Sequence, residues 1–313
     1  MHRSGHVWCP PAWLLWATAF GGARIPHHFL DPKEETRVTK FRSVALAFAA
    51  GATALSLTAC ANNSATPAPA STAAAGGAEI ALITPGKLTA CTHLAFKPFQ
   101  FKDDSGKIVG YEVDLMDLVA KDLGVEQEIV DIAFDQITSG SVFAAKKCDV
   151  GAAAITIREE RAKAATFAEP HFDSTLALLV KTDSGITKVE DLKDKQVAVQ
   201  TDTTGKDWAE ENAAKYGYTT RVFDDMPTAT NSVLGDVTAA TINDNGVLYD
   251  FANDNPTTKV IQEFETGEQY GFNVSNDNKA LATKINEVLD KARADGTFNE
   301  IYKKWFGVDA PAK

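Results

Sequence analysis

The sequence is short of positive charge and of long apolar segments. It carries 31 Lys and Arg against 42 Asp and Glu over 313 residues, a formal net charge of -11. Proteins that bind the phosphate backbone need a basic face, so this balance excludes nucleic acid as a partner. After residue 60, no uninterrupted apolar run reaches the ~18 residues that span a bilayer. Any membrane attachment is therefore expected near the N-terminus.

Cysteine is scarce, with four residues in the chain. One of them, Cys60, follows a basic cluster around Lys40 and a short apolar run, in the order Leu57-Thr58-Ala59-Cys60. This order is typical of a lipoprotein signal peptide, in which cleavage precedes a cysteine that is then acylated. The alternative is an ordinary signal peptide with an incidental cysteine. We expect an extracytoplasmic protein that lipidated Cys60 anchors to the outer face of the cell membrane.

The segments on either side of Cys60 carry no pattern typical of a fold. Residues 60–78 are rich in Ala, Ser, Thr, Pro and Gly, which predicts a flexible, lipid-anchored tether. Residues 1–59 are predicted to be a lipoprotein signal peptide preceded by a doubtful extension, because signal peptides begin a few residues before their basic cluster. Val38 is then a candidate initiator, and the alternative is a genuine extension of unknown purpose.

Two cysteines, Cys91 and Cys148, lie in the part of the chain that is expected to fold. Each lies in an apolar run, and oxidation is permitted in an exported protein. Neighbouring strands about 4.8 Å apart would bring the two Cα atoms into bridging range. A disulfide is therefore the economical interpretation. A metal site needs more ligands than this region offers, so no metal or other cofactor is expected.

Apolar runs and helical spacings alternate along the rest of the chain. The predicted strands are residues 88–93, 128–132, 148–155, 176–180, 196–199, 221–223, 239–242 and 260–261, and the predicted helices are residues 110–124, 134–145, 206–216 and 280–294. This alternation is typical of an α/β fold with parallel-rich sheets flanked by helices.

A series of ordered motifs lies on these predicted elements. They include Thr92-His-Leu-Ala-Phe-Lys-Pro-Phe99, Gly110-Tyr-Glu-Val-Asp-Leu115, Ile155-Thr-Ile-Arg-Glu-Glu-Arg161, Gln200-Thr-Asp-Thr-Thr-Gly205 and Thr266-Gly-Glu-Gln-Tyr-Gly271. Over residues 86–307 the sequence resembles the extracytoplasmic amino-acid-binding proteins of ABC importers, the polar amino acid branch (family 3) of the solute-binding proteins.

The resemblance implies a two-lobed clamp with a two-strand hinge and the ligand in the cleft between the lobes. On this pattern, lobe one comprises residues 79–177 and 272–310, and lobe two comprises residues 182–267. The hinge is expected at Leu179-Val180-Lys181 and at Gly271-Phe272-Asn273.

A free amino acid presents a carboxylate, an ammonium group and a variable side chain, and its site needs a partner for each. Arg161 offers a planar fork suited to a carboxylate, and it matches the carboxylate-binding arginine of the family. The alternative is a surface arginine paired with Glu159 or Glu160. Thr156 matches the family's hydroxyl residue on the ammonium group.

The second lobe is expected to supply the remaining contacts to the ligand backbone. Thr203 and Thr204 precede a helix, so their backbone N–H groups and hydroxyls form a candidate carboxylate site, with simple N-capping as the alternative. Asp244 resembles the family's ammonium-binding aspartate. Asn243 stands beside it, and the sequence leaves the choice between the two open.

The resemblance also assigns residues to the ligand side chain. Phe96 and Phe134 match aromatic positions that cover it, with core packing as the alternative. His93 stands where many relatives carry an acidic residue, and Ala154 where Gly or Ser is common. Gln200 is a further candidate contact. Because an imidazole can donate to an acidic or amide side chain or satisfy a backbone carbonyl, the sequence leaves the ligand class open.

Two classes of function compete. The first is a binding protein, not an enzyme, that captures a polar or charged amino acid and delivers it to an ABC permease and its ATPase. It would act as a monomer that closes on its ligand. The alternative is an exported dehydratase-like enzyme on the same scaffold, for which His93 and Glu112 are the candidate acid–base residues.

Overall fold

The computed structural model describes residues 79–311. The predicted signal peptide, the predicted lipidation site Cys60 and the predicted tether lie outside the described residues. The strands are β1 (Lys87–Thr92), β2 (Phe101–Lys102), β3 (Ile108–Val109), β4 (Glu126–Asp131), β5 (Val150–Gly151), β6 (Thr166–Phe167), β7 (Phe172–Lys181), β8 (Gln196–Gln200), β9 (Thr219–Phe223), β10 (Ala240–Asp244), β11 (Thr258–Tyr270) and β12 (Asn273–Val274). The helices are α1 (Tyr111–Leu123), α2 (Phe134–Thr138), α3 (Ser141–Ala144), α4 (Glu159–Ala164), α5 (Thr204–Tyr216), α6 (Met226–Leu234), α7 (Asn245–Asp254), α8 (Lys279–Asp295) and α9 (Thr297–Phe306).

The strands form two mixed sheets, one in each lobe. The first sheet has the order β4-β1-β5-β12-β6, with β1 parallel to β4 and β5. The second has the order β11-β7-β10-β8-β9, with β8 parallel to β10 and β9 and with β7 and β11 antiparallel. Helices flank both sheets, so the predicted α/β clamp of two lobes is confirmed.

The chain passes from the first sheet to the second between β6 and β7 and returns between β11 and β12. The return agrees with the expectation at Gly271-Phe272-Asn273. The predicted exit at Leu179-Val180-Lys181 is wrong, because these residues pair with β10 inside the second sheet. The strand β7 begins at Phe172, which packs against the core of the first lobe, and its residues Leu176, Leu178 and Val180 lie in the core of the second. The chain therefore leaves the first lobe within β7, before Leu176. The predicted lobe boundaries stay predictions.

The disulfide between Cys91 and Cys148 is confirmed. Their Cα atoms lie 5.6 Å apart, and the bridge joins β1 to the segment that leads into β5. Both cysteines are buried among apolar side chains that include Ile137 and Ile155. The bridge therefore links β1 to the start of β5. The residues that follow these two strands, His93 after β1 and Ala153 and Ala154 after β5, line the cleft.

Candidate functional site

A small cavity lies between the two lobes. It is lined by His93, Phe96, Gln100, Phe134, Ala153, Ala154, Thr156, Arg161, Gln200, Thr203, Thr204 and Asp244. The structure thus brings all ten predicted ligand-binding residues to one cavity, together with Gln100 and Ala153, which the sequence analysis did not select.

Arg161 is buried at the start of α4 and has no carboxylate partner. It is 6% exposed and donates from Nη1 to the carbonyl of Thr156 at 3.1 Å and from Nη2 to the carbonyl of Asp202 at 2.7 Å. Within residues 79–311, no carboxylate oxygen lies within ion-pair distance of its guanidinium. Since a buried charge is costly unless it is paired, this guanidinium is available for an anion that enters the cavity.

The neighbouring acidic residues do not compete for Arg161. Glu159 pairs with Lys163 at 2.9 Å, and Glu160 pairs with Arg158. The alternative of a surface arginine paired with these glutamates is therefore wrong. Burial lowers the pKa of Arg161, and the nearby positive charge of Arg158 lowers it further.

Asp244 ends β10 and faces the cavity from the second lobe. It is 7% exposed, and burial, followed by the nearby charge of Glu268, raises its pKa to about 7. The hydroxyl of Tyr270 donates to its carboxylate. The side chain of Asn243 instead accepts the backbone N–H of Asp244 at 2.8 Å. The geometry therefore favours Asp244 over Asn243 as the anion that faces a ligand.

Glu268, on the long strand β11, is a site residue that sequence reasoning missed. Its Oε2 accepts from the hydroxyl of Thr204 at 2.9 Å and from that of Thr156 at 3.3 Å, which joins the two lobes. Burial raises its pKa as well. The motif Thr266-Gly-Glu-Gln-Tyr-Gly271 contains Glu268, but nothing in the motif indicates that this side chain reaches the cleft.

Thr203 forms the N-cap of α5. Its hydroxyl accepts the N–H of Lys206 at 3.1 Å and donates to the carbonyl of Gln200 at 2.8 Å. The hydroxyls of Thr203 and Thr204 both make hydrogen bonds within the protein, and the expectation that the two residues bind a ligand carboxylate stays a prediction. The backbone N–H groups of the first turn lack intrahelical partners, so an anion can bind there.

Two aromatic rings and a strained alanine complete the first-lobe wall. Arg161 stacks over the ring of Phe134 at 5.5 Å, and Phe96 is 8% exposed. Ala154 has a positive φ of 51°, which is rare for a residue with a Cβ atom. Its N–H donates to Oε2 of Glu112 at 2.8 Å. This bond holds the strained backbone in place from behind the wall.

The candidate acid–base residues of the enzyme alternative do not converge on the cavity. Glu112 does not line it; its Oε1 lies 2.8 Å from Nε2 of His171, and both side chains are buried. His93 lines the cavity and its Nδ1 lies 3.0 Å from the carbonyl of Ile132.

The described residues show neither a membrane span nor a metal cluster. From residue 79 to 311, no helix is both long and apolar enough to cross a bilayer. The same residues contain no group of three or more His, Cys, Asp or Glu side chains placed to hold a metal ion.

The chain is similar to proteins that bind amino acids. It is 30% identical over 217 residues to the L-cystine-binding protein TcyJ of Escherichia coli (strain K12), which covers 68% of this chain and 80% of the relative. It is 37% identical to an ancestral arginine-binding protein, which was solved with arginine (TM-score 0.66, 71% of this chain and 98% of that one) and with glutamine (TM-score 0.67, 72% and 100%).

A third solved structure bears on the enzyme alternative. The ancestral amino acid-binding protein AncCDT-1, a precursor of cyclohexadienyl dehydratase, is 32% identical, with a TM-score of 0.64 over 71% of this chain and 95% of that one. The resemblance to the amino-acid-binding proteins of ABC importers is thus confirmed. The model of the bacterial extracellular solute-binding proteins, family 3, matches residues 88–308, and the chain belongs to this family.

Proposed function

We propose that this protein captures a polar amino acid outside the membrane and delivers it to an ABC permease and its ATPase. The observation that carries the proposal is the buried guanidinium of Arg161, which faces a closed cavity without a carboxylate partner. The α-carboxylate of an amino acid pairs with this fork, with the first turn of α5 as a second donor. The carboxylate of Asp244 binds the ammonium group.

The similar proteins support an amino acid as the ligand. Their names specify cystine, arginine or glutamine, all of which share the same backbone carboxylate and ammonium groups. The shared groups fall on Arg161 and Asp244, whereas the differing side chains fall on His93, Phe96 and Phe134. These residue types support a polar or charged amino acid as the ligand.

The cellular setting completes the proposal. Lipidation at Cys60 holds the protein at the outer face of the membrane, and residues 60–78 give the clamp the reach to meet its permease. One chain supplies both walls of the cavity, so a monomer is sufficient to bind the ligand. The ligand bridges the lobes and so binds the closed state tightly, which makes closure a shift of population.

Substitution of Arg161 tests the proposal. The screen is thermal denaturation of the purified protein with each of the twenty amino acids, since a ligand at 100 times its Kd stabilises by about 2.7 kcal/mol. Arg161→Ala removes a charge-assisted contact, and we expect it to weaken binding by about 3 kcal/mol, roughly a hundredfold. Arg221→Ala, which changes an exposed arginine, is the matched control.

The same samples separate binding from catalysis. Under the proposal, one or a few amino acids raise the melting temperature and are recovered unchanged by mass spectrometry. Recovery of an altered compound would favour the dehydratase-like alternative. The likeness to AncCDT-1, a precursor of cyclohexadienyl dehydratase, is the reason to test for it. Equal affinity of the Arg161→Ala variant and the parent protein would remove Arg161 from the ligand site.

A further inference from the structure

The cavity wall carries buried polar atoms that have no hydrogen-bond partner. In the part of the chain that the structure describes, these are Nε2 of His93, Oε1 of Gln200 and both amide atoms of Gln100. Gln100 is 1% exposed, Gln200 is 2% exposed, and all three residues line the cavity. Buried polar groups are normally satisfied, so four unpaired atoms at one place indicate that a ligand supplies their partners. We call His93, Gln100 and Gln200 the selector cluster.

The surroundings of the selector cluster determine which atoms donate and which accept. Nδ1 of His93 faces the carbonyl of Ile132 at 3.0 Å, and a carbonyl can only accept, so Nδ1 carries a proton. In the neutral imidazole, Nε2 then offers a lone pair. Together with Oε1 of Gln100 and Oε1 of Gln200, the cluster presents three acceptors, and Nε2 of Gln100 adds a donor.

Gln100 is held in place by its own backbone. The N–H of Phe96 donates to the carbonyl of Gln100 at 2.8 Å, and the N–H of Gln100 donates to the carbonyl of Phe96 at 3.1 Å. Phe96 itself lines the cavity, so this pair of bonds holds the backbones of Gln100 and Phe96 side by side at the cavity wall.

The charges of the wall restrict the ligand further. Of the residues that line the cavity, Asp244 is the one acidic side chain and Arg161 is the one basic side chain, and the proposed function commits both to the ligand backbone. An acidic ligand side chain would be buried without a cation of its own. The remaining carboxylate near a cationic side chain, Glu268, does not line the cavity and already accepts from the hydroxyls of Thr156 and Thr204. An apolar side chain would leave the selector cluster unpaired.

We infer that the ligand is an amino acid with an uncharged carboxamide side chain, glutamine or asparagine, and that Gln100 helps to select it. The carbonyl of such a side chain accepts from Nε2 of Gln100, and its two N–H groups donate to Nε2 of His93 and Oε1 of Gln200. A neutral imidazole side chain offers one donor and leaves two of the three acceptors of the cluster unpaired, whereas the carboxamide leaves one. The inference rests on the proposed function, because it takes the ligand to be a free amino acid.

The first test is a ligand panel on the parent protein by isothermal titration calorimetry, with glutamine, asparagine, glutamate, arginine, histidine and methionine. We expect glutamine or asparagine to bind at least roughly tenfold more tightly than the other four. Tightest binding of arginine, glutamate, histidine or methionine would overturn the choice of a carboxamide and leave the proposed function intact. Binding of no amino acid would overturn both.

The second test changes Gln100. Gln100→Met keeps the length of the side chain and removes its hydrogen bonds, so glutamine should bind roughly tenfold more weakly while methionine gains relative to glutamine. Gln100→Glu adds an anion and should shift the preference towards arginine. Gln196→Met alters an exposed glutamine of β8 and is the matched control.

Two results in this series would count against the inference. One is an unchanged glutamine affinity in Gln100→Met, and the other is an equal loss in Gln196→Met. If the Gln100 variants fail to fold, Gln200→Met takes their place, with the same expected loss of glutamine affinity.

Discussion

Asp244 and Glu268 place two carboxyl groups close together at the buried site. Arg161, which has no carboxylate partner, is the cation that acts on both. Burial disfavours both carboxylates, and the charge of Glu268 further disfavours that of Asp244, so the pKa of Asp244 rises to about 7. Because two neighbouring carboxyl groups titrate together, the pair still holds a proton above about pH 4, where an unperturbed aspartate would be ionised. An ammonium group that arrives in the cavity favours the charged form and displaces this proton.

We therefore expect ligand affinity to depend on pH. Below about pH 7, binding must release a proton from Asp244, so Kd should rise by up to about tenfold for each unit of pH that is lost. Above pH 7, Kd should level off, because Asp244 is already ionised. Calorimetry between pH 5.5 and 8.5 in buffers of different ionisation enthalpy measures both the affinity and the protons released. An affinity that is flat across this range would contradict the assignment of Asp244 to the ammonium group.

The same carboxyl group makes a prediction for stability. Its folded pKa lies above its unfolded value, so the folded state binds more protons between about pH 4 and pH 7, and the free energy of unfolding falls as pH rises through that window. Asp244→Asn removes this charge, and we expect the ligand-free variant to melt at a higher temperature than the parent at pH 8. It should also lose most of its ligand affinity. A lower melting temperature at pH 8 would show that the Asp244 carboxylate stabilises the fold.

For single residues, the sequence analysis selected side chains whose chemistry suits the carboxylate and ammonium groups of an amino acid. It missed residues that reach the cleft through tertiary contacts. Arg161 and Asp244 follow from motif and chemistry. Glu268 and Gln100 are polar residues in strands or turns, and neighbours distant in sequence bury them. Nothing local in the sequence distinguishes such a residue from an exposed one.

At the scale of elements, strong periodic patterns predicted structure well and weak ones did not. Residues 134–145 form two short helices instead of one, because Gly140 adopts a φ of 72° and a Cβ there would lie 2.9 Å from the carbonyl oxygen of Ala164. Residues 148–155 hold a two-residue strand, since the chain then turns to present Ala154 to the cavity. The strand β11 is far longer than the predicted residues 260–261, because its outer half is polar and pairing with β7 holds it.

The disulfide makes a prediction about elements. It closes a loop of 57 residues between β1 and β5, and the chain-entropy model assigns it about 4 kcal/mol of stability. Cys91→Ser should therefore melt roughly 10 °C below the oxidised parent protein. Differential scanning calorimetry of both proteins, with and without dithiothreitol, measures the difference. Parent protein that melts at the same temperature in both conditions would show that the bridge does not stabilise the clamp.

The whole molecule is held closed by contacts that cross the cleft. Asp202, in the second lobe, accepts from Arg161 through its backbone carbonyl and from Thr138 through its carboxylate, the latter at 2.7 Å. At the rim, Nη1 of Arg158 lies 2.7 Å from Oδ2 of Asp207. These contacts need both lobes, so they stabilise the closed state alone and add to the affinity for any ligand that requires closure.

A second ion-pair group crosses the cleft from Lys97, whose Nζ lies 3.3 Å from Oδ2 of Asp250 and 2.9 Å from Oδ2 of Asp254 on α7. The side chains of Lys97 and Asp254 are 39% and 61% exposed, so water and salt screen the pair. A partly exposed pair of this kind contributes about 0–1 kcal/mol. The contribution should act on closure, and therefore on how slowly the ligand leaves, because the contacts break when the lobes part.

Lys97→Met keeps the apolar stem and removes the charge. We expect it to weaken ligand affinity by up to roughly fivefold at low salt, mostly through faster dissociation, and to reduce the dependence of affinity on salt. Lys181→Met is the matched control, because Lys181 pairs at 2.8 Å with Asp236 inside the second lobe and spans no cleft. Stopped-flow dissociation of the bound amino acid at 50 and 500 mM salt compares the two variants. Equal rates in both variants at 50 mM salt would show that the Lys97 pairs do not stabilise the closed clamp.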